Sequence, residues 1–236
     1  MLPIGDENVG QRGRPYVVRA LVAINALIFL YQLTLSEREL VRFFDRWGVV
    51  PEYIANGDRL YTLFTCAFLH GGWLHIGGNM LFLWVFGDNV EDIFGHVGFA
   101  IFYGLTAIIA SLAQVALNTD SLTPMVGASG AIAGVLAAYL RMFPHGRIRT
   151  LIMIGFFPLL LLVPAWLQIG LWILLQFING FATLGVATRD TGGVAFFAHI
   201  GGFLAGLVLV SLFKNDAALD RQRAARQGGA AFQRLR

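Results

Sequence analysis

The last apolar run of the chain, Val194 to Phe213, is twenty residues long and holds no Asp, Glu, Lys or Arg. That is about the length a helix needs to cross a bilayer core. Five further stretches read the same way: Tyr16–Leu35, Thr65–Gly87, Phe99–Leu117, Ala128–Met142, and Trp166–Phe181 with its flanks. Backbone groups in hydrocarbon must find their hydrogen bonds within the protein, which favours helices for runs of this length. Composition points the same way. Charged residues make up 13% of the chain, about half the roughly 25% of a soluble domain, too few to cover a water-facing surface. The expected fold class is all-α: a polytopic membrane bundle of six transmembrane helices. It occupies 16–213 as one domain, after a flexible arm at 1–15 and before a basic tail at 214–236.

Charge sets the expected orientation. Arg12, Arg14 and Arg19 precede or open the first run, Arg141, Arg147 and Arg149 follow the fourth, and Lys214 with five arginines follows the last. Positive charge collects on the cytoplasmic side, so six crossings place both termini inside. That count requires Thr150–Val163, only 14 residues long and interrupted by Gly155 and Pro158, to be an interfacial or re-entrant segment rather than a crossing. Leu33-Thr34-Leu35-Ser36 is a poor small-residue cleavage site, which favours an uncleaved first span over a signal peptide. The connector Ser36–Asp58 mixes charges with Phe43, Phe44, Trp47 and Tyr53. It reads as a loop at the membrane interface, with a lid as the sharper alternative. The single cysteine, Cys66, excludes an internal disulfide and a cysteine-only zinc site. No internal repeat of the transporter kind is present.

Polar side chains inside spans are costly and point to function. Ser129 stands near the start of the fourth run, in Gly127-Ala128-Ser129-Gly130, and Gly130, Gly134 and Ala138 line one face after it. Small residues on one face let another membrane helix approach closely. His199 lies in the last run, and at about 100° per residue Gly202 and Gly206 fall within roughly 60° of it. Both residues sit near the start of their helices. They reach the same depth only if those helices run parallel, which one intervening crossing achieves. Histidine is the usual base for a serine nucleophile. No carboxylate lies mid-span, so a Ser–His dyad rather than a triad is the arrangement available. His75 and Asn79, four apart on one helix face, can offer N–H groups to an oxyanion together with the Ser129 backbone amide. Taken singly, each residue has an ordinary explanation as a cap, a helix–helix hydrogen bond or a packing glycine. Their co-occurrence on three helices is what points to chemistry. No His-Glu-x-x-His and no paired membrane aspartates occur, which argues against metallo- and aspartyl proteases.

These sets, His70-x4-His75-x3-Asn79, Gly127-Ala128-Ser129-Gly130 and Ala198-His199-Ile200-Gly201-Gly202, resemble those of the rhomboid intramembrane serine proteases of bacterial type. The resemblance runs from about Trp47 to Phe213. It implies that Ser129 is the nucleophile and His199 the general base, that His75 and Asn79 help the Ser129 amide hold the oxyanion, and that His70 is structural. It also implies substrates that are transmembrane-helix proteins, residence in a bacterial inner membrane, and no cofactor, metal or nucleic acid. One position departs: where some members carry an aromatic four residues after the serine, packed on the histidine, this chain has Ala133. The base must then be oriented some other way, a residue from another helix being one candidate. Two other classes stand beside this one. A catalytically silent relative that binds transmembrane helices would not need the serine, histidine and donors present here. A small transporter or channel would be expected to show repeats or buried carboxylates.

Overall fold

The computed structural model describes residues 1–6, 11, 13–183 and 194–233. Strand β1 (Leu2–Asp6) precedes helix α1 (Tyr16–Gln32). The connector expected as a loop contains helices α2 (Glu37–Trp47) and α3 (Pro51–Ala55), then α4 (Thr62–Thr65) and a 3-10 turn at Cys66–Phe68. Ser36 and Glu39 close a capping box on α2. Helix α5 (Trp73–Ala116) is broken at Gly95, whose φ of 72° with ψ of 164° is a backbone region open to glycine almost alone. The part after Gly95 turns back toward the connector, where Ser111 Oγ donates to the carbonyl of Leu63 at 3.2 Å. Helix α6 (Ser129–Met142), strands β2 (Arg147–Ile154) and β3 (Phe157–Pro164), and helices α7 (Ala165–Thr183), α8 (Phe196–Phe213) and α9 (Asp216–Gln233) complete the order.

Among the described residues α5, α7 and α8 contain helix long and apolar enough to cross a membrane, and α1 and α6 are shorter apolar helices. Exposed leucine, isoleucine and valine side chains along their outer faces, such as Leu27, Leu174, Val208 and Leu212, suit a lipid surround. The centre is α6, whose residues Gly130 to Tyr139 are all buried. Gly130 packs on Ala110 and Gly134 on Thr106 of α5. Gly202 and Gly206 of α8 lie directly on the carbonyl oxygens of Gly130 and Gly134. The two small-residue faces seen in the sequence are thus the faces that meet.

The all-α expectation fails at one three-stranded sheet, in the order β1-β2-β3. Residues 147–164 form a hairpin, paired in register from Arg147 with Pro164 to Ile154 with Phe157, turning through Gly155 at φ 60°. Ile148, Thr150, Ile152 and Ile154 favour a pleated strand, and Pro158 opposes a continuous helix. Ile148, Thr150 and Val163 bury the base of the hairpin, while its tip at Phe156 and Phe157 is exposed. Part of the expected flexible arm is ordered as well, because β1 pairs antiparallel with β2. Residues 7–10 and 12 of that arm lie outside the described residues.

The basic tail also departs from a solvated segment. It forms α9, with Asn215 Oδ1 accepting from Ala218 N at 3.1 Å at its start. Its residues reach back to the bundle. Arg223 donates from Nε and Nη2 to the Met142 carbonyl at 3.1 and 3.0 Å, and Gln222 Nε2 donates to Asp92 at 2.7 Å. Arg226 donates to Asn89 Oδ1 at 2.8 Å and lies 3.5 Å from Asp6. Arg234 and Arg236 lie outside the described residues. The acidic residues after the second apolar run clamp the other end of the chain. Glu91 accepts the N–H groups of Val17 and Val18 at 2.9 and 2.8 Å, a carboxylate at a helix N-terminus.

Candidate active site

Ser129 is the first residue of α6, so its own N–H has no acceptor within the helix. It is half-buried, and the preceding loop is fixed from the connector side. Gly127 N donates to Cys66 O at 2.9 Å, and Val49 and Met125 exchange backbone bonds of 3.0 and 2.7 Å. His199 sits one turn into α8 and is buried. Its Nε2 lies 2.7 Å from Ser129 Oγ. The two residues paired on sequence are therefore in hydrogen-bond contact across the glycine seam. Close by, Ala198 N at the start of α8 donates both to Gln114 Oε1 at 3.2 Å and to the Ala195 carbonyl at 3.1 Å.

His75 and Asn79 open the first part of α5 and face the same point. Gly71 N donates to His75 Nδ1 at 3.3 Å. In a neutral ring the proton then sits on Nε2. A Cβ added at Gly127 would stand 2.7 Å from that Nε2 and 3.7 Å from Asn79 Nδ2. Gly127 has φ 129°, so both its conformation and the space beside it call for glycine. Asn79 Nδ2 is buried without a hydrogen-bond partner among the described residues. A buried orphan donor is expensive, and here it faces the gap left by a missing side chain just before Ser129. Between Ser129, Gly127 and Ala198 lies a cavity of about 20 Å³, room for about one water.

His70 is not brought to Ser129. Gln32 of α1 clamps its backbone, Nε2 donating to His70 O at 2.7 Å and Oε1 accepting from His70 N at 3.2 Å. Its ring meets His75 edge-on with centroids 5.1 Å apart. Ala133 is fully buried and leaves His199 without an aromatic from α6. The partners come instead from α7, two residues that the sequence reading did not single out. Gln176 Oε1 lies 2.8 Å from His199 Nδ1, and the Trp172 ring lies 5.6 Å from the His199 ring at 42°. Trp172 and Gln176 are four apart on one helix face. An amide one turn after a tryptophan in an uncharged span was the available signal. Among the described residues no group of three or more His, Cys, Asp or Glu stands together as a metal site.

Fold and site together define a polytopic helical membrane protein with a Ser–His pair sunk among its helices. The Rhomboid domain family matches residues 57–215, well over half of the chain, and the chain belongs to that family. It is 29% identical over 222 residues to "Rhomboid protein 1, mitochondrial" of Saccharomyces cerevisiae, covering 92% of this chain and 58% of that protein. It is 28% identical over 208 residues to "Presenilin-associated rhomboid-like protein, mitochondrial" of Mus musculus, covering 84% and 48%. It is 25% identical over 228 residues to "RHOMBOID-like protein 1" of Arabidopsis thaliana, covering 84% and 53%. The chain spans about half the length of the curated relatives it matches. Two of these are mitochondrial by name, which gives the expectation of a bacterial inner membrane no support.

Proposed function

We propose that this rhomboid-family protein is an intramembrane serine endopeptidase that hydrolyses peptide bonds in or near the transmembrane segments of other membrane proteins. The observation that carries the reading is the 2.7 Å contact between Ser129 Oγ and His199 Nε2 inside an apolar bundle. Ser129 attacks the scissile carbonyl carbon while its proton passes to Nε2 of His199. The tetrahedral oxyanion forms between the Ser129 N–H, His75 Nε2–H and Asn79 Nδ2–H. His199 returns the proton to the leaving amine, and water, activated by the same base, releases the acyl chain. One oxyanion donor is worth roughly 3–4 kcal/mol of barrier, so the three supply a large share of the acceleration.

The wider arrangement follows the same reading. Six crossings are α1, the two parts of α5 on either side of Gly95, α6, α7 and α8, with both termini on the cytoplasmic side and the site open to water from the other. The β2–β3 hairpin accounts for the short apolar stretch without adding a crossing. A substrate helix must unwind to expose a carbonyl to Ser129, so helix-breaking Gly or Pro favours cleavage. The bilayer and transmembrane proteins are the partners, with no nucleic acid and no cofactor. The bacterial inner membrane remains the setting proposed from the sequence alone. The test is cleavage of a single-span protein in proteoliposomes. Wild type should cut it, and Ser129→Ala and His199→Ala should not, with unchanged melting in detergent. Full activity in Ser129→Ala ends the reading.

A further inference from the structure

We propose that Gln176 is a positioning residue for His199, acting as the third member of a Ser129–His199–Gln176 relay in which an amide stands where a carboxylate usually does. The inference rests on the serine-hydrolase reading above and goes beyond its two-residue site. Nε2 of His199 faces Ser129 Oγ at 2.7 Å. It can accept the serine proton only while it carries none itself. In a neutral imidazole the ring proton must then sit on Nδ1. A buried N–H there needs an acceptor, since leaving it unpaired costs about 1–3 kcal/mol. Gln176 Oε1, at 2.8 Å, is that acceptor.

A glutamine can point either end of its amide at the ring, and the wrong end would select the wrong tautomer. An NH2 group facing Nδ1 would make Nδ1 the acceptor and drive the proton to Nε2, where it blocks the serine. The other end of the amide decides the matter. Gln176 Nε2 donates to the Trp172 carbonyl at 3.3 Å, one turn back on α7. That carbonyl can only accept, so it holds the NH2 on its own side and leaves Oε1 for His199. The Trp172 ring meanwhile packs against the imidazole. One turn of α7 therefore sets both the plane of His199 and the nitrogen that bears its proton. This is the task for which Ala133 offers no side chain. Gln176 touches no reacting atom. It acts through His199.

An amide differs from a carboxylate in one respect that matters for the test. It accepts the Nδ1 proton without adding charge, so it fixes the tautomer but contributes no ion pair when His199 becomes cationic. A variant that keeps the acceptor and the length should therefore preserve function, and one that keeps only the length should not.

The test combines kinetics with a tautomer readout in the full-length protein in detergent. Gln176→Met should lower kcat on the single-span substrate about 10- to 1,000-fold with KM within threefold of wild type, below the roughly 10⁴-fold loss known when a triad Asp is changed to Asn. Gln176→Glu should recover kcat to within about tenfold. ¹⁵N NMR of histidine-labelled wild type, with His199→Gln for assignment, should show the neutral His199 proton on Nδ1. A proton on Nε2 in wild type overturns the proposal whether or not either variant folds. So does wild-type kcat in Gln176→Met. If wild type shows Nδ1–H but neither cleaves substrate nor reacts with a fluorophosphonate, the protease reading fails while the positioning of His199 by Gln176 stands.

Discussion

Gly202 of α8 rests on the carbonyl oxygen of Gly130 of α6, so close that a Cβ at 202 would occupy the space of that oxygen. Gly130 directly follows Ser129, and Gly202 lies three residues after His199. The contact between these two glycines is thus the hinge of the proposed dyad: the backbone approach it permits is what lets Oγ and Nε2 meet at 2.7 Å. The obstacle is backbone, which cannot swing aside as a flexible side chain would. Gly202→Ala should destabilise the protein by about 1–3 kcal/mol through overpacking and cut turnover by more than tenfold as the helices part. Gly170→Ala is the control. Among the described residues nothing lies within 4 Å of a Cβ there, and removing a helical glycine should raise stability by about 0.5–1 kcal/mol. Urea unfolding in detergent micelles, run beside the cleavage assay, reads both.

The donors proposed for the oxyanion make a separable prediction. His75→Ala and Asn79→Ala should each lower kcat about 10²- to 10³-fold with little change in KM, because the bond to the oxyanion exists only in the transition state. Removing Asn79 Nδ2 also removes a buried donor that has no partner among the described residues. Asn79→Ala should therefore cost little stability. Equal losses of turnover and of melting temperature would show that Asn79 holds the fold instead.

Arg223 tests the ordered tail. Its two bonds to the Met142 carbonyl cap the end of the helix that begins at Ser129, where orphan carbonyls and the helix dipole both favour a cation. Arg223→Ala should cost about 1–3 kcal/mol, and Arg223→Lys should recover only part because it lacks the planar fork. Arg38→Ala, at an exposed position on α2, should leave melting unchanged.

Asp6 gives the protein a pH-dependent stability. Burial, with Asp88 nearby, pushes its carboxyl up to about 7, against bonds from Tyr139 and Arg226 that pull it down. The folded state thus holds the proton more tightly than the unfolded chain. The stabilisation is complete below the ordinary carboxylate value near 4 and is lost as pH rises through about 7. Wild type should lose stability from pH 4 to pH 7, on the order of a few kcal/mol. Asp6→Asn should flatten that part of the curve. An unchanged slope in the variant would place the titration elsewhere.

Much of the candidate site was legible because polar groups stand out against apolar spans. Ser129, His199, His75 and Asn79 are conspicuous in runs that otherwise lack charge, and the glycine spacing named the faces that meet. Gln176 was harder to see, since a single amide in a span usually bonds to a neighbouring helix without chemical consequence, and only the geometry of its two ends gives it a task. The hairpin escaped because its apolar run is long enough for a short helix; the alternation of Ile148, Thr150, Ile152 and Ile154 was the better guide. The docking of α9 depends on Asp92, Asn89 and Met142, more than 80 residues away along the chain for each contact. No local pattern reports partners so distant.

A fluorophosphonate reports the nucleophilicity of Ser129 without a natural substrate. Wild-type protein in detergent should take up one equivalent, with the adduct on Ser129 by peptide mass spectrometry, and His199→Ala should react at least 10²-fold more slowly. No adduct on wild type, or one that forms equally fast without His199, would contradict the account.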